Sequence, residues 1–338
     1  MDSLNFVNLI QAATVGVSIL ASLLLWRKGT FDGIALLLGL IAFATLVNLL
    51  EETGITRDTY IISPIFILLF GPAGYLASKH LTNEKLTKRD WVHILPAAPL
   101  LLFSSHVSIV IAIGTIWRLI YAYFTATLLT KYKRTLDEER SDSEEFSFNW
   151  LVWVIVVMAL FNLIDLIRLN SQPYISYELN IIGQGINNSV WLLAVMIIAI
   201  KLIEQKSPPT LAQAKNKEIS KEPAPENYLS TFAELDKLIT INQWFLKPRL
   251  TLTDVSELSG LQTRDISRAI NTVANKPFNE YINEYRIKHI CQALDAGSHL
   301  TLTRLYTDAG FSSKASFNKV FKDYTSMTPS EYKSQNKV

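Results

Sequence analysis

About seven stretches of roughly twenty mostly apolar residues precede residue 205, and that is the length a helix needs to cross a bilayer core at ~1.5 Å per residue. They run Asn5–Trp26, Phe31–Leu50, Tyr60–Ser78, Trp91–Phe103, Val107–Thr130, Phe148–Leu169 and Leu179–Ile203. In lipid the backbone must bond to itself, so a polytopic helical bundle is the fold open to such a half-chain. The fourth stretch is the shortest and carries Pro96 and Pro99, residues that remove backbone donors and interrupt helices. A chain that is 49% hydrophobic with mean hydropathy +0.21 is too apolar for an ordinary soluble protein. The excess sits before residue 205, which divides the chain into a membrane half and a polar tail.

The first stretch lacks a basic lead-in and is long for a signal-peptide core, so it reads as an uncleaved helix. Orientation follows from Lys and Arg in the short loops. Arg27 and Lys28, then Lys79, Lys85, Lys88 and Arg89, then Lys131, Lys133, Arg134 and Arg140, and finally Lys201 and Lys206 fall on one side. The alternate loops offer Arg57 and Arg168. An odd number of spans with this bias places the N-terminus outside and the tail in the cytoplasm, across a bacterial inner membrane. The acidic run Asp137–Glu145 (DEERSDSEE) lies in one of the basic loops, where it is expected to solvate the connection, with a binding tail as the alternative.

Residues 205–227 are polar, proline-bearing and without apolar period, the pattern of a flexible linker spanning ~25 Å as a coil. The domain boundaries expected are therefore 1–204, 205–227 and 228–338, the last beginning with an amphipathic helix over Tyr228–Phe245. Within it one plan occurs twice. In Thr301–Lys333, Leu302, Leu305 and Ala309 recur at helical spacing, Gly310 supplies a turn with Phe311 after it, and Phe317, Val320, Phe321 and Tyr324 form a second stripe. Ser312 and Ser313 can cap the second helix. Upstream, Leu252, Val255 and Leu258 lead to Gly260 and Leu261, and then to Ile266, Ala269, Ile270 and Val273. Each is a helix-turn-helix pattern. Between them Pro277–Leu294 predicts a connecting helix of ~25 Å, long enough to hold two reading helices near one DNA repeat apart, ~34 Å.

The exposed faces of the two second helices carry groups suited to base edges and phosphates. The first offers Arg264, Asp265, Ser267, Arg268 and Asn271; the second offers Ser313, Lys314, Ala315, Ser316, Asn318, Lys319 and Lys322. The segment GFSSKASFNKVFKDYTSMTPSEYK, preceded by NEYRIKHICQAL, resembles the C-terminal DNA-binding domain of the AraC/XylS transcription regulators over about the last hundred residues. The resemblance implies an all-α double helix-turn-helix domain that sets its recognition helices in successive major grooves of double-stranded DNA. By position it implies base-facing roles for Arg264, Asp265, Arg268, Lys314, Ala315 and Ser316, with Asn318, Lys319 and Lys322 suited to phosphates. Two residues depart from the family pattern. Tyr306 stands where a small residue is usual, with splaying of the second unit as the expected effect, and Ser326 replaces a glycine that would cap the recognition helix in left-handed conformation.

Polar groups inside spans are expensive, so they mark function or interhelical bonding. Arg118, Asn162, Asp165, Gln184, Asn187 and Asn188, with Asn48 at the end of the second span, are expected to converge on an outward-open pocket for a small polar or amphiphilic ligand. A purely structural polar network is the alternative. The five histidines lack paired ligand spacing and Cys291 is alone, so no metal site, cofactor or disulfide is indicated, and no catalytic set of nucleophile, base and orienting group assembles. The tail carries fourteen Lys and Arg against eleven Asp and Glu from Asn227 onward, a mild excess that makes homodimerisation or paired sites the expected route to useful affinity. The function expected is a membrane-anchored one-component regulator, partnered by DNA, the lipid bilayer and, for an activator, RNA polymerase. The competing expectation is a membrane receptor or transporter whose tail binds protein.

Overall fold

The computed structural model describes residues 5–56, 62–84, 86–97, 107–209 and 225–335, and among them the regular elements are helical. The chain forms two compact units: Met1–Tyr132 with Phe148–Pro208, and Lys133–Ser147 with Pro209–Val338.

The first unit contains helices α1 (Phe6–Lys28), α2 (Asp32–Glu52), α3 (Ser63–Leu81), α5 (Asn149–Ser171) and α6 (Tyr177–Glu204), with α4 (Val107–Glu139) belonging to it as far as Tyr132. Among the described residues five helical segments are long and apolar enough to cross a membrane: Phe6–Lys28, Asp32–Glu52, Ile109–Glu139, Ser143–Tyr174 and Tyr177–Glu204. This is fewer than the seven expected from apolar length. The third expected stretch forms α3, a continuous helix that contains Pro72 and turns polar at Lys79 and His80, and it is not among the five. The fourth does not begin as a span. Residues Lys88–His93 and Leu95–Ala97 are short 3-10 turns, and residues 98–103 lie outside the described residues. Asp90 explains the break: its carboxylate bonds the Thr87 N–H at 2.5 Å and pairs with Lys79 at 2.8 Å, closing a polar turn where a helix would have to continue.

Helix directions follow from close contacts. A Cβ on Gly114 would lie 2.5 Å from Ile67, and one on Gly71 would lie 3.0 Å from Tyr121, so α3 and α4 run parallel and close. Near the start of α1, Phe6 fills the space over Gly185 of α6; at the other end Lys28 Nζ donates to the carbonyls of Leu202 (2.8 Å), Ile203 (2.8 Å) and Gln205 (2.6 Å), capping α6 with a cation. Helices α1 and α6 are therefore parallel as well.

The second unit packs helices α7 (Pro225–Asn242), α8 (Leu252–Ser259), α9 (Thr263–Ala269), α10 (Phe278–Asp295), α11 (Leu302–Asp308), α12 (Lys314–Thr325) and α13 (Pro329–Gln335). Helix α7 starts at Pro225, inside the stretch expected to be linker, while residues 210–224 lie outside the described residues. Helix α10, 18 residues and thus about 27 Å long, is the spine. Its first half gives Phe278, Tyr281 and Ile282 to one core, with Leu235, Val255 and Ile266; its second half gives Ile287, Ile290 and Leu294 to another, with Leu305, Phe311 and Phe317. Leu246 packs against both cores.

One expectation fails in this unit. The acidic segment after α4 is not a solvated loop: Ser141, Asp142 and Ser143 are 2%, 3% and 0% exposed. Its backbone at Ser141 and the Ser143 hydroxyl find partners on α10 and beside α8, which offsets much of the cost of leaving water.

Candidate nucleic-acid interface

The first helix-turn-helix is α8, Gly260 and α9. Thr251 opens α8 with a closed capping box, its hydroxyl accepting from the Asp254 N–H at 3.1 Å while Asp254 accepts from the Thr251 N–H at 2.8 Å. Burial works to raise the Asp254 carboxyl, but Lys247 at 2.7 Å and the Thr251 donors outweigh it and hold that carboxyl below its ordinary value. Gly260 closes α8 at φ +73°, and Ser256 Oγ donates to the Leu261 carbonyl at 2.6 Å to fix the turn. Helix α9 continues as a π turn over Ile270–Ala274 and stops at Asn275, φ 52°.

The second is α11, Gly310 and α12. Gly310 lies at φ +86°, and a Cβ there would meet the Leu246 carbonyl oxygen at 2.6 Å, so the turn is tied to the seam between the two cores. Phe311, buried, plugs the angle between α11 and α12 against Phe317 at 5.5 Å. Ser313 caps α12, accepting from the Ser316 N–H at 3.1 Å. Tyr306 does not splay the unit; it stacks on Phe317 with centroids 5.2 Å apart and planes at 25°. Ser326 takes the left-handed conformation the missing glycine would have supplied, φ 61°, and its N–H still reaches the Lys322 carbonyl at 2.8 Å.

Of the candidate DNA contacts, Arg264, Asn271, Lys314, Ala315, Asn318, Lys319 and Lys322 are exposed, and Asp265, Ser267, Arg268 and Ser313 are half-buried. Arg268 donates to Tyr228 Oη at 3.1 Å, so α7 braces the first reading helix. Ser316 corrects the expectation: it is 7% exposed, on the packed side of α12 beside Phe317, and cannot face a base. Leu258 and Tyr324, expected in the apolar stripes, are exposed instead. Lys319 Nζ pairs with Glu144 of the acidic segment at 2.8 Å.

Spacing alone does not single out Arg286. It is 1% exposed, at the seam of the two helix-turn-helix cores, donating from Nε to the Phe245 carbonyl (2.7 Å), from Nη2 to the Lys247 carbonyl (2.8 Å) and from Nη1 to Asn283 Oδ1 (3.1 Å), with its guanidinium over Phe311. Burial pulls its pKa down to about 10 against the nearby Asp142 carboxylate, which leaves it charged at neutral pH. A cation within the apolar stripe of α10 is the sequence signal that would have found it. Asp236 does similar work on α7, accepting from Tyr281 at 2.9 Å and from Tyr285.

In the bundle, Asn48, Arg118, Asn162, Asp165, Asn187 and Asn188 line one cavity. Gln184 does not line it; its amide donates to Glu52 at 2.7 Å, and that carboxylate also accepts from Gln11 and Asn48. Asp165 pairs with Arg168 at 2.8 Å rather than with Arg118. Arg118 lies over the Trp191 ring with its Nε buried and unpartnered, and it also borders an apolar cavity lined by Ile34, Leu37, Val154, Met158 and Ile198.

Residues 255–335 match the family described as "Helix-turn-helix domain". Over 84 residues the chain is 32% identical to uncharacterized HTH-type transcriptional regulators of Staphylococcus aureus strains COL, MSSA476 and N315, a match covering 25% of this chain and 11% of each relative. The chain thus spans about a tenth of the length of these curated relatives. No solved structure matches it. The tail therefore contains a helix-turn-helix domain, which supports DNA binding and transcription regulation.

Proposed function

We propose that the chain is a membrane-anchored, one-component transcription regulator whose tail is of the AraC/XylS type. Helices α9 and α12 enter successive major grooves, Arg264, Asp265, Arg268, Lys314 and Ala315 meet base edges, and Asn318, Lys319 and Lys322 meet phosphates. The observation that carries this is Arg286: one buried cation hydrogen-bonds the Phe245 and Lys247 carbonyls beside the first core and lies over the Phe311 ring of the second, so two helix-turn-helix units are fixed on a single spine. Footprinting with the full chain in lipid nanodiscs tests it. Two protected stretches about one helical turn apart are expected; a tail that serves protein contacts leaves no protection.

The apolar helices support anchoring in a bacterial inner membrane, N-terminus outside and tail inside, with the basic loops supplying the orientation. Reporter fusions at residue 205 that are active only outside the cell would overturn it. For the signal, the reading is an amphiphile bearing one anionic group, its head at Arg118 within the polar cavity and its tail in the apolar one. Because Arg168 already neutralises Asp165, Arg118 brings net positive charge to that boundary. A decanoate-dependent reporter response is expected to fail in Arg118→Gln and persist in Arg118→Lys; equal responses in all three remove the pocket from the mechanism. A ligand acts on the tail only so far as it prefers one of two states.

A further inference from the structure

We propose that residues 133–147, the end of α4 and its connection toward α5, form an intramolecular clamp that holds a phosphate-contacting lysine of α12 and must release it before the second helix-turn-helix seats on DNA. The proposal rests on the DNA-binding reading above, and its test separates the two.

The segment is seated by bonds that a solvated acidic loop would not make. Its Ser141 N–H donates to the Leu250 carbonyl at 3.0 Å, and Arg140 bridges to Thr251, the cap of α8. From α10, Asn283 donates to the Ser141 carbonyl at 3.1 Å, while the Asn279 amide donates to Asp137 Oδ1 at 3.0 Å and Ser143 Oγ at 3.1 Å. At its centre Lys133, 9% exposed, holds Asp137 and, at 3.0 Å, Glu144. Glu144 then reaches outward to Lys319 on α12. The carboxylate thus lies between a cation of the segment and a cation of the reading helix. Burial presses it toward neutrality, but the two lysines outweigh that and keep it below the ordinary carboxylate range.

The two ends of this arrangement differ in how readily they exchange. The bonds to α10 and to the residues before α8 are buried or half-buried, whereas the Lys319 side chain is 53% exposed, and an ion pair of that kind is held weakly. Lys319 can therefore trade Glu144 for a phosphate. While it does not, the helix lacks one of its cations, and a phosphate brought to the same place meets the Glu144 carboxylate. The neighbouring groove offers no substitute cation site for DNA, since Glu280, Glu284 and Asp323 line it together with Lys276. Because the segment is covalently the end of α4 and the lead-in to α5, a change in either bundle helix pulls on the clamp.

The test measures anisotropy of a labelled duplex of about three helical turns against the full chain in nanodiscs over a range of salt. Glu144→Gln is expected to bind about 3–10-fold tighter at low salt, with a salt slope steeper by about one ion, the signature of one phosphate contact regained. In a Lys319→Gln background the same change should add nothing. Ser143→Ala and Asn279→Ala loosen the seat without changing charge, and should tighten binding in the same direction and speed amide exchange at Ser141. If wild type binds and Glu144→Gln matches it in affinity and slope, the clamp is refuted while DNA binding stands. If Glu144→Gln tightens binding but both neutral variants leave affinity and exchange unchanged, the effect is stray charge and the clamp is again refuted. Absence of binding in every variant overturns both readings.

Discussion

The first helix-turn-helix unit opens on a closed capping box, turns on a glycine and ends its reading helix in a π turn, whereas the second opens on a single threonine hydroxyl, caps its reading helix with the Ser313 hydroxyl and closes on a serine held left-handed. Their reading faces differ too. Helix α9 presents Arg264 beside Asp265, with Arg268 braced by Tyr228, while α12 presents Lys314, Lys319 and Lys322 with Asp323 in its last turn. A face with a braced arginine suits directional contacts to base edges, and a face whose cations are all lysines suits phosphates, where a flexible point charge suffices. The pair therefore divides labour: the first unit for register, the second for affinity that salt can remove.

The largest test of that division attacks what the units share. Arg286→Ala leaves two carbonyls and an amide oxygen without donors in a buried seam, an expected loss of about 3–5 kcal/mol. Hydrogen exchange in the full chain should show α10 and α11 amides opening together at a lower free energy. Should only one unit loosen, the units are independent and the spine is a linker.

Next comes the division itself. Arg264→Ala is expected to weaken binding by about 1–3 kcal/mol and relax preference at one base pair, while Lys322→Ala weakens all sequences alike and reduces the salt slope by about one. Competition binding across single-base operator variants reads both. Uniform loss for Arg264→Ala would erase the distinction between the two faces.

What was legible in the residues tracks how local its cause is. Helix length and apolarity marked α1, α2, α4, α5 and α6, and the glycine turns with their flanking stripes marked both helix-turn-helix units, because periodicity and capping act within a few residues. Ser316 misled because its short polar side chain resembles a base contact, yet its place beside Phe317 puts it in the core. The acidic run misled for the opposite reason: its partners Asn279 and Asn283 are more than a hundred residues away, and nothing in Asp137–Glu145 itself announces them. Arg286 likewise gains its meaning from carbonyls brought in by the 3-10 turn Trp244–Leu246. In the bundle six of the polar span residues line one cavity, whereas Gln184 bonds Glu52 instead, a partner that spacing along a single helix does not reveal.

The caps separate the units by pH. Asp254 is held below its ordinary value, so the capping box contributes stability above a pH of about 4 and loses it as pH falls through the lowered pKa. The cap of α12 is a hydroxyl that does not titrate there. Exchange protection of α8 amides should fall in acid before that of α12, and Asp254→Asn should flatten the difference; parallel loss in both helices would place the acid sensitivity elsewhere.

The smallest effect is the most discriminating about backbone. Ser326 is exposed, and a left-handed φ of 61° costs an L-residue about 1–2 kcal/mol that glycine avoids. Part of that gain is offset because glycine leaves the unfolded chain more freedom, so Ser326→Gly should stabilise α12 by about 0.5–1 kcal/mol. The mirror change belongs in the first unit. Gly260 sits at φ +73° with nothing within 4 Å of where a Cβ would go, so Gly260→Ser carries the conformational penalty and no clash. If exchange protection in α12 rises by about what α8 loses, the two turns differ by backbone conformation alone; if Gly260→Ser costs several times more, the first turn is constrained by something beyond φ, and the Ser256 bond to the Leu261 carbonyl is the contact to remove next.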